Sequence, residues 1–128
     1  MRLLCAVVLV AWILPACSPA DGHSPENLPP GDANRGAELF IQSINGAPPC
    51  AACHTLDGTA LSGPGLQGYA ATSQDRVGGI TSEAYTLTSI ISPGTYVVRG
   101  FGNVMYDQYA QRLTPQQLAD LIAYLLTL

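Results

Sequence analysis

Cys50-Ala51-Ala52-Cys53-His54 sets two thiols three positions apart and an imidazole directly after the second. That order is the attachment signature of a c-type haem. On one helical turn, thiols at this spacing reach two vinyl groups along one porphyrin edge. The adjacent histidine can then turn beneath the ring and offer a nitrogen to iron. Three simpler readings fit the residues less well. A redox-active CxxC belongs in a thioredoxin-like βαβ pattern, which the flanking residues lack. A structural zinc site needs four ligands, and no second CxxC or HxxxH follows. A Cys50–Cys53 disulfide leaves His54 without a purpose.

Working outward, the start of the chain suggests a compartment. Arg2 precedes an apolar run from Leu3 to Leu14. Twelve residues are short of the ~20 needed to span a bilayer. A charged start, a short apolar centre and small residues at the exit form a secretory signal pattern over residues 1–16. The exit Leu14-Pro15-Ala16-Cys17 resembles a bacterial lipobox, which makes Cys17 the expected lipidated first residue of the mature chain. Cleavage near Ala16 or Ala20 with Cys17 incidental is the simpler alternative. A diacylated N-terminus would supply the two signals that stable anchoring requires. Export also matches the attachment chemistry of c-type haem, which is completed outside the cytoplasmic membrane. The expected location is therefore the outer, periplasmic face of the bacterial cytoplasmic membrane. On this accounting Cys5 leaves with the signal, Cys17 is the anchor, and Cys50 with Cys53 hold the haem.

Residues 17–31 read as the anchor cysteine and a tether. Pro19, Pro25, Pro29 and Pro30 with two glycines give a semi-stiff stretch without apolar periodicity. From Ser18 to Gly31 it would extend at most about 45 Å. His23 lies within it and is not expected to bind iron.

Residues 32–128 form one small domain, of a size at which a bound cofactor is a valuable staple. No repeat is visible and the haem motif occurs once, so one covalent haem c is expected. The fold class is all-α. A first helix is predicted over Asn34–Ile41, capped near Asp32, with Gly36, Leu39 and Phe40 at helical spacing. The haem motif is expected to open a short helix ending before Asp57-Gly58. Thr59 to Gly79 reads as loop with one helical turn near Tyr69. Thr81 or Ser82 caps a helix through Tyr85, Leu87, Ile90 and Ile91, which Pro93-Gly94 ends. Tyr96-Val97-Val98 is read as extended loop rather than sheet. Thr114-Pro115-Gln116-Gln117 combines an N-cap, a first-turn proline and a capping-box Gln. Leu118, Leu121, Ile122 and Leu125 then recur on one helical face.

A haem iron held by His54 needs a second axial ligand for six-coordination. Of the two methionines, Met1 leaves with the expected signal and Met105 remains. A lone methionine beside Val104 and Tyr106 would also serve as core filler. Its place in a glycine-rich loop before the final helix, and the lack of another soft ligand, favour coordination. His/Met ligation raises the potential and suits electron transfer.

These residues in this order resemble the small class I cytochromes c, across essentially all of 32–128. Gly36 and Phe40 sit where the family's first helix packs on its last, with Tyr124 as the aromatic partner. Gly63-Pro64-Gly65-Leu66 resembles the loop whose proline carbonyl receives the second ring proton of the axial histidine, which implies that Pro64 orients His54. Met105 matches the distal ligand. Many members carry proline directly after that methionine. Tyr106 stands there instead, and is expected to bring a ring or hydroxyl to the haem edge. Ile91 to Val98 with Gly100-Phe101 resembles cytochrome subunits of alternative complex III and the fused domains of some terminal oxidases.

The chain has no lysine, and from Cys17 onward four arginines face nine carboxylates, a net charge of −5. Nucleic-acid binding is excluded by the absence of any basic patch. A ring of docking lysines cannot form. One arginine is a candidate partner for the haem propionates. The expected function is one-electron transfer, as a membrane-tethered carrier or as a subunit of a respiratory or photosynthetic complex, with redox proteins as partners and no catalytic residue. Two alternatives stand beside it. One is a five-coordinate haem protein for gas binding or peroxidase-like chemistry; the other is a haem-bearing structural subunit.

Overall fold

The computed structural model describes residues 24–128. The expected signal sequence over 1–16, the anchor Cys17, the first part of the tether and His23 lie outside the described residues. Five helices follow in order: α1 (Ala33–Phe40), α2 (Tyr69–Gln74), α3 (Ser82–Ile91), α4 (Tyr109–Arg112) and α5 (Pro115–Leu125). Among the described residues there is no strand, only two isolated backbone bridges. The all-α class expected from the sequence is the one observed.

Local chemistry starts each main helix. The Asp32 carboxylate accepts from the Asn34 and Arg35 amides and caps α1. Thr81 caps α3 through the Ala84 amide. At α5, Thr114 and Gln117 bond each other's backbone reciprocally, and Pro115 takes the first position, where no amide proton is needed.

α1 and α5 pack against each other and form the frame of the domain. Gly36 is buried against α5, because a β-carbon there would lie 2.6 Å from the Tyr124 Cβ and 2.7 Å from the Asp120 carbonyl carbon. One turn on, Phe40 meets Tyr124 edge to face, with ring centroids 5.7 Å apart. Leu118, Leu121, Ile122 and Leu125 all bury, as the helical spacing predicts.

The frame carries one polar knot that the sequence did not reveal. The Asp120 side chain is 3 % exposed. It accepts from the Asp32 amide (2.7 Å), from Arg35 Nε (2.9 Å) and Nη2 (3.0 Å), and from Gln116 Nε2 (2.9 Å). These bonds, led by that from Arg35, hold its carboxyl down at about 2. Because that lies below the ordinary value of about 3.9, the stabilisation is complete above pH 4 and is lost as the pH falls through 2. Asp120→Ala would leave four N–H groups without their acceptor and should cost about 2 kcal/mol at neutral pH. In thermal melts from pH 7 to pH 2 the deficit against wild type should shrink towards the acid end. A deficit constant across that range would show that packing, not the charge, is responsible.

Two expectations need correction. The cysteine motif does not open an α-helix: Cys50–Ala52 makes a single 3-10 turn. Extended Pro49 precedes it, and His54 then leaves the helical path to pair with Ala60. The later part of the expected tether is not free either. Pro25–Asn27 forms a 3-10 turn, Leu28 packs on the core, and the Pro30 carbonyl accepts from Gln116 Nε2 at 2.9 Å. Gly31 lies so close to α5 that a β-carbon would fall 2.9 Å from the Ala123 Cβ. Proline-rich composition predicted a spacer, but Pro25–Asn27 lies against α3, and Gly31 with the Pro30 carbonyl lies against α5.

Candidate cofactor site

A large slot opens between α3, the cysteine turn and the irregular segment 96–108. It encloses about 950 Å³ of empty space, part of it open to solvent. Cys50, Cys53, His54, Gly63, Pro64 and Met105 all line it, so the fold brings every site residue expected within the described part into one place. Phe40, Leu66, Ile90 and Leu125 contribute apolar wall, as do Val97, Val98 and Phe101. No charged side chain is among the lining residues.

The loop after the cysteines determines how His54 is presented. Its backbone is fastened by Gly63 N to Cys53 O (3.0 Å) and Leu66 N to Thr55 O (2.8 Å). Gly63 runs flat against the imidazole, since a β-carbon there would lie 2.8 Å from Nδ1 and 2.9 Å from Nε2. His54 Nδ1 is 2.8 Å from the Pro64 carbonyl oxygen. A carbonyl only accepts, so Nδ1 carries the proton and Nε2 keeps its lone pair.

Cys50 and Cys53 are not disulfide-linked, and both are partly buried. Burial pushes Cys50 up to about 11. A reactive redox thiol is instead depressed by nearby positive charge or a helix N-terminus, so a thioredoxin-like role is not supported. Nor do the cysteines and histidine gather into a metal cage: among the described residues no three His, Cys, Asp or Glu side chains are placed to hold a metal ion.

Two hydroxyls on the slot wall satisfy each other. Thr86 Oγ1 donates to the Ser82 carbonyl at 2.6 Å, so the Tyr69 hydroxyl, 2.9 Å away, donates to Thr86. Burial raises the Tyr69 phenol to about 12 and keeps that proton in place. Tyr85 packs on Tyr69 and Tyr96, at centroid separations of 6.5 and 5.8 Å. Thus the slot combines an apolar interior, two thiols, a histidine with its lone pair exposed and a thioether. That donor set suits a large flat apolar group bearing a soft-to-borderline metal.

The family model for cytochrome c matches residues 33–128. The chain belongs to the cytochrome c family. No curated protein matches it. Its cofactor is a covalently bound haem c and its general role is haem-based electron transfer, as an electron carrier.

Two features of this cytochrome bear on the sequence reading. Tyr106 is absent from the slot lining and its ring turns instead to Tyr109, at a centroid distance of 5.0 Å. The glycines and Asn103 before it leave the segment free to roll this side chain towards the core. No arginine lines the slot, and Arg35 is committed to Asp32 and Asp120. Sequence reasoning also missed Tyr109, whose buried hydroxyl donates to the Pro48 carbonyl at 2.8 Å. It belongs to the four-residue α4, too short for any periodic signal.

Proposed function

We propose that this cytochrome is a membrane-associated, six-coordinate one-electron carrier in which Cys50 and Cys53 form the thioether links, His54 is the proximal ligand and Met105 the distal one. The observation that carries the reading is the His54–Pro64 contact: it leaves the Nε2 lone pair available in the same slot that Met105 lines. Bound haem supplies the Fe(II)/Fe(III) couple. The chain's own residues hold it and tune it. Pro64 holds the proton on Nδ1 and thereby orients the ring and raises its basicity. Met105, which lines the same slot, would as a soft ligand favour the reduced state and close the iron to other ligands. The apolar walls exclude water from the interior, while half-exposed Tyr96 and exposed Val104 mark the rim where a partner would approach.

The membrane part rests on Cys17 as an acylated N-terminus. Among the described residues no helix is long and apolar enough to cross a bilayer. We place the protein on the periplasmic face, serving a respiratory or photosynthetic complex as a carrier or a subunit. Its acidity and lack of lysine favour a partner with a basic or apolar docking surface. Mass spectrometry of the N-terminal peptide should find Cys17 diacylated; an unmodified Cys17 would overturn the anchor.

Axial ligation has its own test. The oxidised wild-type protein should show the weak far-red band of Met–Fe(III) and bind no carbon monoxide when reduced. Met105→Ala should lose the band and gain carbon monoxide binding. A wild-type spectrum that is already high-spin would refute six-coordination and favour gas or peroxide chemistry.

A further inference from the structure

The segment carrying Met105 has little of its own to hold it. From Arg99 to Gln108, its amides make two backbone bonds, Phe101 N to Val98 O and Val104 N to Gly102 O, both local. Val104, next to Met105, is 67 % exposed. Backbone bonding alone therefore does not determine where Met105 sits relative to the cysteine turn.

α4, directly after this segment, is stapled at both ends to the strip of chain that leads into Cys50. At its start the Tyr109 hydroxyl donates to the Pro48 carbonyl at 2.8 Å. At its end the Arg112 carbonyl accepts from Asn45 Nδ2 at 2.8 Å. The strip between these anchors is itself rigid. Asn45 and Gly46 both have positive φ, as a I′ turn requires, and Ile44 and Ala47 exchange backbone hydrogen bonds across them. Tyr106 completes the connection: it adjoins Met105 in sequence and its ring stands edge-on to Tyr109, at 5.0 Å and 75°. A continuous set of contacts thus runs from Met105 through Tyr106, Tyr109 and Pro48 to Cys50.

We infer that α4 is a brace that registers Met105 against the Cys50 attachment turn, with Tyr109 and Tyr106 as positioning residues in place of a proline after the methionine. This rests on Met105 being the distal ligand. Tyr109 is not among the residues lining the slot; it acts by tying the Met105 segment to the other side of the slot.

The test uses the oxidised holoprotein, with the far-red Met–Fe(III) band and the dissociation constant of cyanide as readouts. Tyr109→Phe keeps the ring and loses one hydrogen bond. It should weaken the band and tighten cyanide binding about fivefold, the factor expected from one net hydrogen bond. Asn45→Asp, on an exposed turn, removes the other staple without touching the core and should act in the same direction. Tyr106→Ala should resemble Tyr109→Phe, whereas Tyr106→Phe restores wild-type behaviour. Asp120→Asn, distant from the slot, serves as a stability control: it should lower the melting temperature without changing either readout. If Tyr109→Phe and Asn45→Asp lower stability yet leave band and cyanide affinity as in wild type, the brace is refuted and α4 is only structural. If the wild-type protein has no such band, the ligand reading fails and the brace with it.

Discussion

Gly36→Val should produce the largest loss of stability from any single substitution in the α1–α5 frame. At Gly36 the two helix backbones meet with no side chain between them, and a β-carbon would fall within van der Waals distance of the Asp120 carbonyl group and 2.6 Å from the Tyr124 Cβ. Neither neighbour can give way easily. One is helix backbone and the other is fixed by the Phe40 ring. The helices would have to part, opening the Phe40–Tyr124 contact and pulling Asp32 and Arg35 from Asp120. Helix propensity alone favours almost any residue over glycine, by up to about 1 kcal/mol. Overpacking costs ~1–3 kcal/mol, and the broken knot adds to it, so a net loss of about 3 kcal/mol is expected. For a domain near 100 residues this corresponds to a fall of roughly 12–24 °C in melting temperature. Thermal melts of holoprotein variants check it directly. A Gly36→Val protein melting within a few degrees of wild type would mean that α1 and α5 do not pack this closely in solution.

The Cys50→Ser, Cys53→Ser double variant should show the largest effect on the fold as a whole. Phe40, Leu66, Ile90 and Leu125 belong to the hydrophobic core and also line the slot. With the covalent links removed, these walls line a solvent-open slot with nothing covalently retained in it. A domain this small has little other apolar burial to compensate. Conditional on the proposed attachment, the variant should emerge colourless, with less than half the wild-type helical circular dichroism and no cooperative melt. A haem-free variant that keeps the full helical signal and a sharp transition would show that the slot is preformed and not a folding element.

The parts legible in the sequence were those encoded by contiguous residues. α5 could be read because Thr114, Pro115 and Gln117 lie together and the apolar positions recur through Leu125. α3 and α1 could be read from their caps in the same way. The cofactor class was legible because its motif is compressed into five consecutive residues, and Met105, unique in the domain, lines the same slot as that motif. α4 was not legible, since four residues carry no period. The cysteine turn was misread as a helix because pairing of His54 with Ala60, two short-range partners separated by a turn, outweighs helical continuation. Proline content made residues 25–31 look like pure spacer, although the groups they dock on lie on α3 and α5, far along the chain.

By itself the sequence determined a helical domain with a covalent haem, and it marked Cys50, Cys53 and His54 as the residues to hold it, since motif spacing and helical periodicity are local properties of the chain. Only the tertiary structure decided how His54 is oriented by Pro64 and which side chain receives Arg35. It also decided that the Tyr106 ring packs on Tyr109 and stays out of the slot lining. Each of these depends on the direction in which a side chain leaves a folded backbone. Hydrogen bonds such as Tyr109 to Pro48 and Asp32 to Asp120 join residues that nothing in sequence order marks as neighbours.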